Sequence, residues 1–270
     1  MHRYFLKSLL LFFVLFSSCS TTSSLKKTET DQSNSSLYGR SYDILALAYF
    51  QRAQEVKALQ YQAYNLATDR LKEILKKGNN LNPAVVLDID ETVLDNSPAS
   101  VQSALRSTYY PTGWNEWVDQ ARAKIIPGAK EFIQFAIAKK VKVLFVSNRE
   151  TKQLAATIKN LSDLGLTFQE SDFFLREDTS SKEKRRQIIK SKFTTVLLIG
   201  DNLNDFTGVF DKKLSDERTQ LTVENKEEFG RKFIVLPNPL YGDWEGALYD
   251  YKFPKTAKER EEILKKSLNE

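Results

Sequence analysis

Two aspartates, Asp88 and Asp90, directly follow the apolar run of residues 84–87. That run is rich in β-branched side chains and predicts a strand buried on both faces. On an extended backbone, residues two apart point to the same side, so both carboxylates would face the crevice at the strand's C-terminal end. Neighbouring buried carboxylates repel unless a cation or shared proton neutralises them. The spacing therefore predicts a metal site; a turn with Thr92 or Asn96 as a helix cap is the alternative.

A second apolar run, residues 141–146, ends in Ser147-Asn148-Arg149 and is followed by a helical pattern over residues 150–164. A hydroxyl at a strand end, just before the free N–H groups of a helix N-terminus, predicts an anion-binding site. A serine N-cap is the alternative. Arg149 fits either a contact to the anion or a structural ion pair.

A third apolar run, residues 194–199, leads into Gly200-Asp201 and, four residues further, Asp205. Gly200 would let the backbone approach a ligand closely, and the two aspartates could face one ion across the turn. Ordinary turn chemistry is the alternative.

Alternation of such strands with helical patterns indicates an α/β fold with a doubly wound parallel sheet. The helices predicted around it cover residues 42–77, 129–140, 180–189 and 256–268, and further strands are predicted at residues 172–175 and 232–236. Because the chemically interesting residues follow the strands, the C-terminal edge of the sheet is the expected site.

The scarcity of two residue types excludes several classes of enzyme. The only histidine is His2 and the only cysteine is Cys19. This argues against His-ligated zinc, Ser-His-Asp hydrolases, phosphohistidine or cysteine-nucleophile phosphatases and disulfides. The formal charge of +5 includes Arg3 and Lys7, and no basic cluster suggests a nucleic-acid partner.

The N-terminus is typical of an exported protein. Residues 1–18 combine basic residues with a short apolar core and predict a signal peptide. Cys19 follows two serines and resembles the lipobox cysteine of bacterial lipoproteins, although Phe16 stands where an aliphatic residue is usual. Residues 19–38 then form a polar tether on the lipidated cysteine. An ordinary signal peptide with an incidental cysteine is the alternative.

The run Asp88-Ile89-Asp90-Glu91-Thr92 resembles the first motif of the haloacid-dehalogenase-like (HAD) phosphatases. The segments around Ser147, Lys182 and Asp201 resemble the other three motifs of that superfamily. Four further segments are similar to the class C bacterial acid phosphatases, the lipoprotein e(P4) 5′-nucleotidase family. They are Asp95-Asn96-Ser97, Ser147-Asn148-Arg149, Gly200-Asp201-Asn202-Leu203 and the Pro-Asn-Pro-x-Tyr-Gly-x-Trp-Glu run at residues 237–245. The resemblance implies a HAD-like, Rossmannoid domain over residues 39–270, with N-terminal helices and a small, mainly helical cap at residues 98–124.

The same resemblance implies a Mg²⁺-dependent acid phosphatase that hydrolyses phosphomonoesters, with 5′-nucleotides as the expected substrates, through an aspartyl-phosphate. Asp88 would be the nucleophile and Asp90 the acid and base. The implied metal-binding residues are Asp88, Asp90 through its backbone carbonyl, Asp201 and Asp205. The implied phosphate-binding residues are Ser147, Asn148 and Lys182, with Lys184 as an alternative to Lys182. Tyr241 would stack on the substrate base, and a tyrosine packed on Trp244 is the alternative.

Several alternatives stay open on the sequence alone. Trp114 and Trp117 in the cap could contact the leaving group or only anchor the segment. The chain could instead hydrolyse non-nucleotide phosphomonoesters, or be a surface lipoprotein that binds a ligand or partner. The lipid would hold the protein at the membrane of the cell envelope, with the outer membrane favoured over the inner, facing the periplasm or exterior. The chain could also form a homodimer.

Overall fold

The computed structural model describes residues 43–78, 82–106 and 108–268, apart from the side chain of Ala257. The predicted signal peptide, the predicted lipidation site at Cys19 and the predicted tether up to residue 38 lie outside the described residues. Among the helices that are described, none combines the length and the apolar character needed to cross a membrane.

A five-stranded parallel sheet forms the centre of the described structure, in the order β5-β4-β1-β6-β7. Its strands are β1 (Pro83–Leu87), β4 (Lys142–Glu150), β5 (Phe173–Arg176), β6 (Thr194–Gly200) and β7 (Phe233–Val235). A separate antiparallel pair consists of β2 (Leu94–Asp95) and β3 (Lys124–Ile125). The parallel sheet with helices between its strands confirms the predicted α/β fold class.

The helices connect the strands and cover the sheet. They are α1 (residues 43–52), α2 (Gln54–Lys76), α3 (Ser97–Arg106), α4 (Trp114–Asp119), α5 (Ala129–Ala138), α6 (Leu154–Asp163), α7 (Glu183–Lys190), α8 (Ser215–Glu224), α9 (Asp243–Leu248) and α10 (Ala257–Ser267). Helices α3 and α4, with β3, make up most of the segment predicted to be a cap.

The central strand β1 contributes to a core on each face of the sheet. Val85 and Leu87 join one core, which also includes residues of α2 and α5, while Ala84 and Val86 join the opposite core. Because side chains alternate along a strand, a strand covered on both faces needs apolar residues at consecutive positions. This is the reason why the run of residues 84–87 was recognisable as a buried strand.

Several predicted boundaries shift by one to three residues, and two predictions depart further from the structure, one of them at the site. The helix predicted over residues 42–77 is interrupted at Ala53, whose backbone is extended, with φ −68° and ψ 128°. The strand predicted to end at residue 146 continues to Glu150, and the following α-helix begins only at Leu154. Ser147 is therefore a strand residue and not a helix N-cap, and the α-helix begins seven residues after it rather than directly beside it.

Tyr64 of α2 connects the N-terminal helices to the loop after β1. Its ring is buried and lies 5.7 Å from the ring of Phe132, and its hydroxyl donates a hydrogen bond of 2.7 Å to the carbonyl oxygen of Thr92. Thr92 lies two residues after Asp90, so α2 stabilises the loop that carries both leading aspartates.

Replacing Tyr64 with phenylalanine should lower the free energy of unfolding by about 1–2 kcal/mol, because a buried carbonyl oxygen loses its donor. Urea unfolding followed by circular dichroism measures the change. Tyr61→Phe on the same helix is the matched control, since Tyr61 is exposed. Equal losses in both variants would contradict an anchoring role for the Tyr64 hydroxyl.

Candidate active site

Lys182 brings two of the aspartates together at the C-terminal edge of the sheet. Asp88 follows β1, and its backbone N–H donates to the carbonyl oxygen of Ile199 in β6. The Lys182 Nζ lies 2.7 Å from Asp88 Oδ1 and 2.6 Å from Asp205 Oδ1. Lys182 immediately precedes α7, so three separate parts of the chain meet at this ion pair.

Asp201, directly after β6, completes a cluster of three carboxylates. Its Oδ1 accepts a hydrogen bond of 2.9 Å from the Thr92 hydroxyl, and its Oδ2 accepts one of 2.8 Å from the Asn238 amide. One carboxylate oxygen from each of Asp88, Asp201 and Asp205 lies within 4.8 Å of the others. Converging carboxylate oxygens are the ligands that hard cations such as Mg²⁺ and Ca²⁺ prefer.

Gly200 allows Asp205 to fold back against the strand end. A Cβ atom at Gly200 would overlap the side chain of Asp205, so any larger residue here would displace Asp205. Asp205 Oδ2 accepts a hydrogen bond of 2.9 Å from the Asn202 N–H. The close approach that the sequence predicted at Gly200 is therefore made by Asp205.

Asp90 is held by a different cation from that of Asp88. The Arg149 guanidinium donates to Asp90 Oδ1 from Nη2 at 2.8 Å and from Nε at 3.0 Å. Ser147 Oγ lies 3.5 Å from the other oxygen, Oδ2. Because β4 continues through residues 147–150, the strand alternation places Ser147 and Arg149 on the same side, next to Asp90. Of the two roles left open for Arg149, the structure shows the ion pair.

Asn148, between these two residues, is exposed and linked to α7. Arg185 donates to its Oδ1 at 2.8 Å, to the Ser147 carbonyl oxygen at 2.6 Å and to the Ser181 carbonyl oxygen at 2.9 Å. Since Oδ1 accepts from Arg185, the Nδ2 group of Asn148 is the part of the amide that remains to donate to a ligand. Arg185 thus fixes the end of β4 relative to the segment that carries Lys182.

Tyr241 lies on a neighbouring loop that is tied to the carboxylate cluster. Asn238 of this loop makes the hydrogen bond to Asp201 described above. The indole N–H of Trp244 donates to the carbonyl oxygen of Tyr241 at 3.2 Å, so this contact leaves the tyrosine ring unengaged. Tyr241 is 36% exposed, three residues along the chain from Asn238.

Comparison with known proteins identifies the family. Residues 17–244 match the family described as HAD superfamily, subfamily IIIB (Acid phosphatase). The structure of the class C acid phosphatase from Bacillus anthracis is similar with a TM-score of 0.82 and 43% identity, over 86% of this chain and 98% of that one. A structure of the class C enzyme from the same organism with tungstate bound gives a TM-score of 0.81 and 42% identity, over 87% and 99% of the two chains.

The chain belongs to the class C acid phosphatases. The family resemblance predicted from the motifs is therefore confirmed, and with it the HAD-like fold. Class C acid phosphatases hydrolyse phosphomonoesters, which confirms the predicted class of enzyme and the small phosphate ester as its kind of substrate.

Most of the predicted site residues of this acid phosphatase lie at one edge of the sheet. The residues that lie together there are Asp88, Asp90, Ser147, Lys182, Asp201 and Asp205. Asn148 is connected to them through Arg185, and Tyr241 lies on the adjoining loop. Lys184 is largely exposed and pairs with Asp178 at 3.7 Å, so Lys182 and not Lys184 lies at the site.

The two cap tryptophans contact residues around Asp90. Trp117 is buried, and its indole N–H donates at 2.8 Å to Asn96 Oδ1, while Asn96 Nδ2 donates to Asp90 Oδ1. The ring centroid of Trp114 lies 5.9 Å from Cζ of Arg149. Trp117 therefore anchors the predicted cap, and both rings support the partners of Asp90.

Burial dominates the electrostatics of the carboxylate cluster. It raises the pKa of Asp88 well above the usual range in spite of Lys182, and it raises the pKa of Asp201 to about 7, helped by Asp205. Burial alone would lower the pKa of Lys182, but Asp205 and Asp88 outweigh it and raise that pKa. Lys182 is thus the charged partner of a cluster that burial drives towards protonation.

The three clustered carboxylates fit a divalent cation. Within the described residues, Lys182 is the only cationic side chain in ion-pair contact with them, so full ionisation leaves two negative charges uncompensated. A divalent ion at the converging oxygens would balance this charge and restore the carboxylates to their ionised form. The charge and the donor atoms thus agree with the divalent metal that HAD phosphatases generally use.

Four supporting residues of the site were not assigned by sequence reasoning: Thr92, Asn96, Arg185 and Asn238. Thr92 and Asn96 lie in or near the first motif, where their residue types predict only a helix cap. Asn238 is 37 residues from Asp201, and no local pattern indicates that contact. Arg185 lies on a charged helix where such residues usually face solvent.

Removing divalent cations with EDTA should destabilise the protein more near neutral pH than in mild acid. Without metal, Asp201 stays protonated in the folded chain up to about pH 7, whereas in the unfolded chain it ionises near pH 4. Metal-free stability is therefore lost as the pH rises between these values, by up to about 1.4 kcal/mol per pH unit for one carboxyl group. The cation binds the ionised form, so the metal-loaded protein escapes this loss.

Melting temperatures of the metal-loaded and EDTA-treated protein, at about pH 5 and about pH 7.5, measure the effect. The gap between the two melting temperatures should widen at the higher pH. In Asp201→Asn the gap should shrink and vary less with pH. A wild-type gap of the same size at both pH values would contradict the metal assignment.

Proposed function

We propose that the protein is a Mg²⁺-dependent acid phosphatase that hydrolyses 5′-nucleoside monophosphates through an aspartyl-phosphate on Asp88. The observation that supports this proposal best is the different pairing of the two leading carboxylates. Asp88 contacts Lys182 and faces the carboxylate cluster, while Asp90 is paired with Arg149. Two carboxylates in different surroundings are suited to nucleophilic and proton-transfer roles, respectively.

In the first step, a carboxylate oxygen of Asp88 attacks phosphorus in line with the ester bond. The new bond to Asp88 forms as the bond between phosphorus and the ester oxygen breaks, and the electron pair stays on the ester oxygen. Asp90 gives its proton to this oxygen, so that an alcohol leaves. Lys182 places positive charge beside the nucleophile and the phosphoryl oxygens.

In the second step, Asp90 takes a proton from water, and the water oxygen bonds to phosphorus. The bond to Asp88 breaks, its electron pair returns to the carboxylate, and inorganic phosphate is released. Ser147 Oγ and the Nδ2 group of Asn148 are proposed to donate to phosphate oxygens in both steps. A related class C enzyme has been solved with tungstate bound, and tungstate is an oxyanion like phosphate.

The proposed ligands of Mg²⁺ are the carboxylates of Asp88 and Asp201 and the backbone carbonyl of Asp90. Asp205 already contacts Lys182 through Oδ1 and the Asn202 N–H through Oδ2, which supports an indirect role for it. When bound, Mg²⁺ supplies positive charge that balances the carboxylates and the phosphoryl group.

The preference for 5′-nucleotides rests on Tyr241. Tyr241 is partly exposed, on a loop that Asn238 fixes to Asp201. Stacking on an aromatic side chain is a common way to hold a nucleobase. Attachment to the cell envelope through a lipid on Cys19 is a further proposal, which rests on the sequence of the N-terminal segment.

Turnover of 5′- and 3′-nucleotides by two variants tests this function. Asp88→Asn should lose at least about four orders of magnitude in kcat, because the nucleophile is removed. Tyr241→Ala should lower kcat/KM for 5′-nucleotides by about tenfold or more and leave p-nitrophenyl phosphate hydrolysis close to wild type.

Tyr61→Ala is the control for Tyr241→Ala, since Tyr61 is an exposed tyrosine on α2. Equal losses on both substrates in Tyr241→Ala would contradict base stacking and favour a phosphatase for other monoesters. Absence of any hydrolysis by the wild-type protein, with every divalent metal tried, would favour a lipoprotein whose main role is binding.

A further inference from the structure

The two oxygens of Asp90 have different surroundings. Oδ1 accepts from Arg149 Nη2 at 2.8 Å, from Arg149 Nε at 3.0 Å and from Asn96 Nδ2 at 2.8 Å. Oδ2 has only longer contacts, to Arg149 Nε at 3.4 Å and to Ser147 Oγ at 3.5 Å. Oδ1 is therefore saturated with donors, while Oδ2 keeps its capacity to bind a proton or a ligand.

Arg149 is itself held in place from several sides. Only 1% of its side chain is exposed, and its Nη1 donates at 2.9 Å to the Thr157 hydroxyl, which in turn donates to the carbonyl oxygen of Gln153. The guanidinium also lies over the ring of Trp114. Two prongs of this buried, planar guanidinium meet at Oδ1 and hold that oxygen in place, which limits rotation of the carboxylate about its bond to Cβ. A lysine ammonium lacks the rigid fork that makes both contacts at once.

Asn96 has a fixed orientation for a similar reason. Its Oδ1 accepts from the Trp117 indole at 2.8 Å, and its Nδ2 donates to the carbonyl oxygen of Leu94 at 3.2 Å as well as to Asp90. Because an indole nitrogen can only donate, the amide oxygen must face Trp117 and the amide nitrogen must face Asp90. The cap segment thus contributes, through Trp117, to the orientation of Asp90.

We propose that Arg149 and Asn96 are positioning residues that hold Asp90 by Oδ1 and so make Oδ2 the oxygen that transfers the proton. This inference rests on the acid and base role of Asp90 proposed above. In the first step the proton passes from Oδ2 to the ester oxygen as its bond to phosphorus breaks. In the second step Oδ2 takes a proton from the attacking water, and Oδ1 stays with its three donors throughout.

The orientation of Asp90 matters because its Oδ2 must lie within hydrogen-bond distance of the ester oxygen, in a suitable direction, before the proton can pass. A carboxylate that can rotate about its bond to Cβ spends less time in that arrangement. The effect should appear only with substrates whose leaving group needs a proton. Alkyl phosphates need one, whereas 2,4-dinitrophenyl phosphate loses a stable anion.

The experiment compares Arg149→Met with the wild type on glycerol 1-phosphate and 2,4-dinitrophenyl phosphate. Values of kcat/KM are used because they report on the steps up to phosphoryl transfer to the enzyme. For glycerol 1-phosphate, kcat/KM should fall by about 100- to 1,000-fold, and for dinitrophenyl phosphate by less than about tenfold. Arg149→Lys should recover little of the lost activity on glycerol 1-phosphate, because a lysine cannot make the two-pronged contact.

Arg122→Met is the matched control. Arg122 is an exposed arginine whose Cζ lies 5.2 Å from the ring of the other cap tryptophan, Trp117, and its removal should leave both rates unchanged. A variant that is partly unfolded loses the same fraction of both activities. The ratio of the two rates therefore separates positioning from instability.

Asp90→Asn, assayed in parallel, separates the failure of this inference from the failure of the proposed function. If Asp90→Asn is selectively slow on glycerol 1-phosphate but Arg149→Met loses both activities equally, or neither, then Arg149 does not position Asp90. If Asp90→Asn itself shows no selectivity, the acid role of Asp90 is wrong and the positioning role is overturned with it. Selective loss in both variants supports the inference.

Discussion

Electrostatic repulsion among carboxylates is the constraint on which this structure depends. The aspartates at the C-terminal edge of the sheet are Asp88, Asp90, Asp201 and Asp205. Each is wholly or largely removed from water, and such groups can stay ionised together only if positive charge is placed among them. Arg149 compensates Asp90, Lys182 is shared by Asp88 and Asp205, and a divalent cation fits the charge that remains.

The distribution of these cations gives the two leading carboxylates different chemistry. Asp88 shares its cation with a second carboxylate and lies at the converging oxygens, which suits a nucleophile facing a phosphoryl group. Asp90 has an arginine of its own and an amide from Asn96, which suits a group that must move a proton from a fixed position. The two carboxylates have different cations because β4 supplies Arg149, while Lys182 stands directly before α7.

The rest of the fold holds these groups at fixed distances. The sheet is covered on both faces, so the strand ends cannot shift independently of the two cores. Hydrogen bonds from Tyr64, Asn238 and Arg185 then fix the loop after β1, the loop of Tyr241 and the end of β4. Side chains that make no proposed contact with substrate therefore determine the geometry of the site.

The parts of the structure that could be predicted from the sequence are those specified locally. Consecutive apolar residues revealed the central strands, and the motifs revealed the family. The extension of β4 was missed because Ser147, Asn148 and Arg149 are polar, and polar residues after an apolar run indicate a loop. In the structure Glu150 pairs with Arg176 of β5, and Arg149 is buried against Asp90, 59 residues earlier. No local pattern encodes these distant contacts.

The separate roles of Asp88 as nucleophile and Asp90 as acid and base can be tested most directly by trapping the phosphorylated enzyme during turnover. Asp90→Asn is mixed with 2,4-dinitrophenyl phosphate, quenched in acid and analysed by peptide mass spectrometry. With this substrate the first step needs no acid, but the second step still needs a base. A phosphoryl group should therefore accumulate on Asp88, and hydroxylamine should remove it. Release of dinitrophenol without phosphorylation of Asp88, or with the phosphoryl group on another residue, would contradict the account.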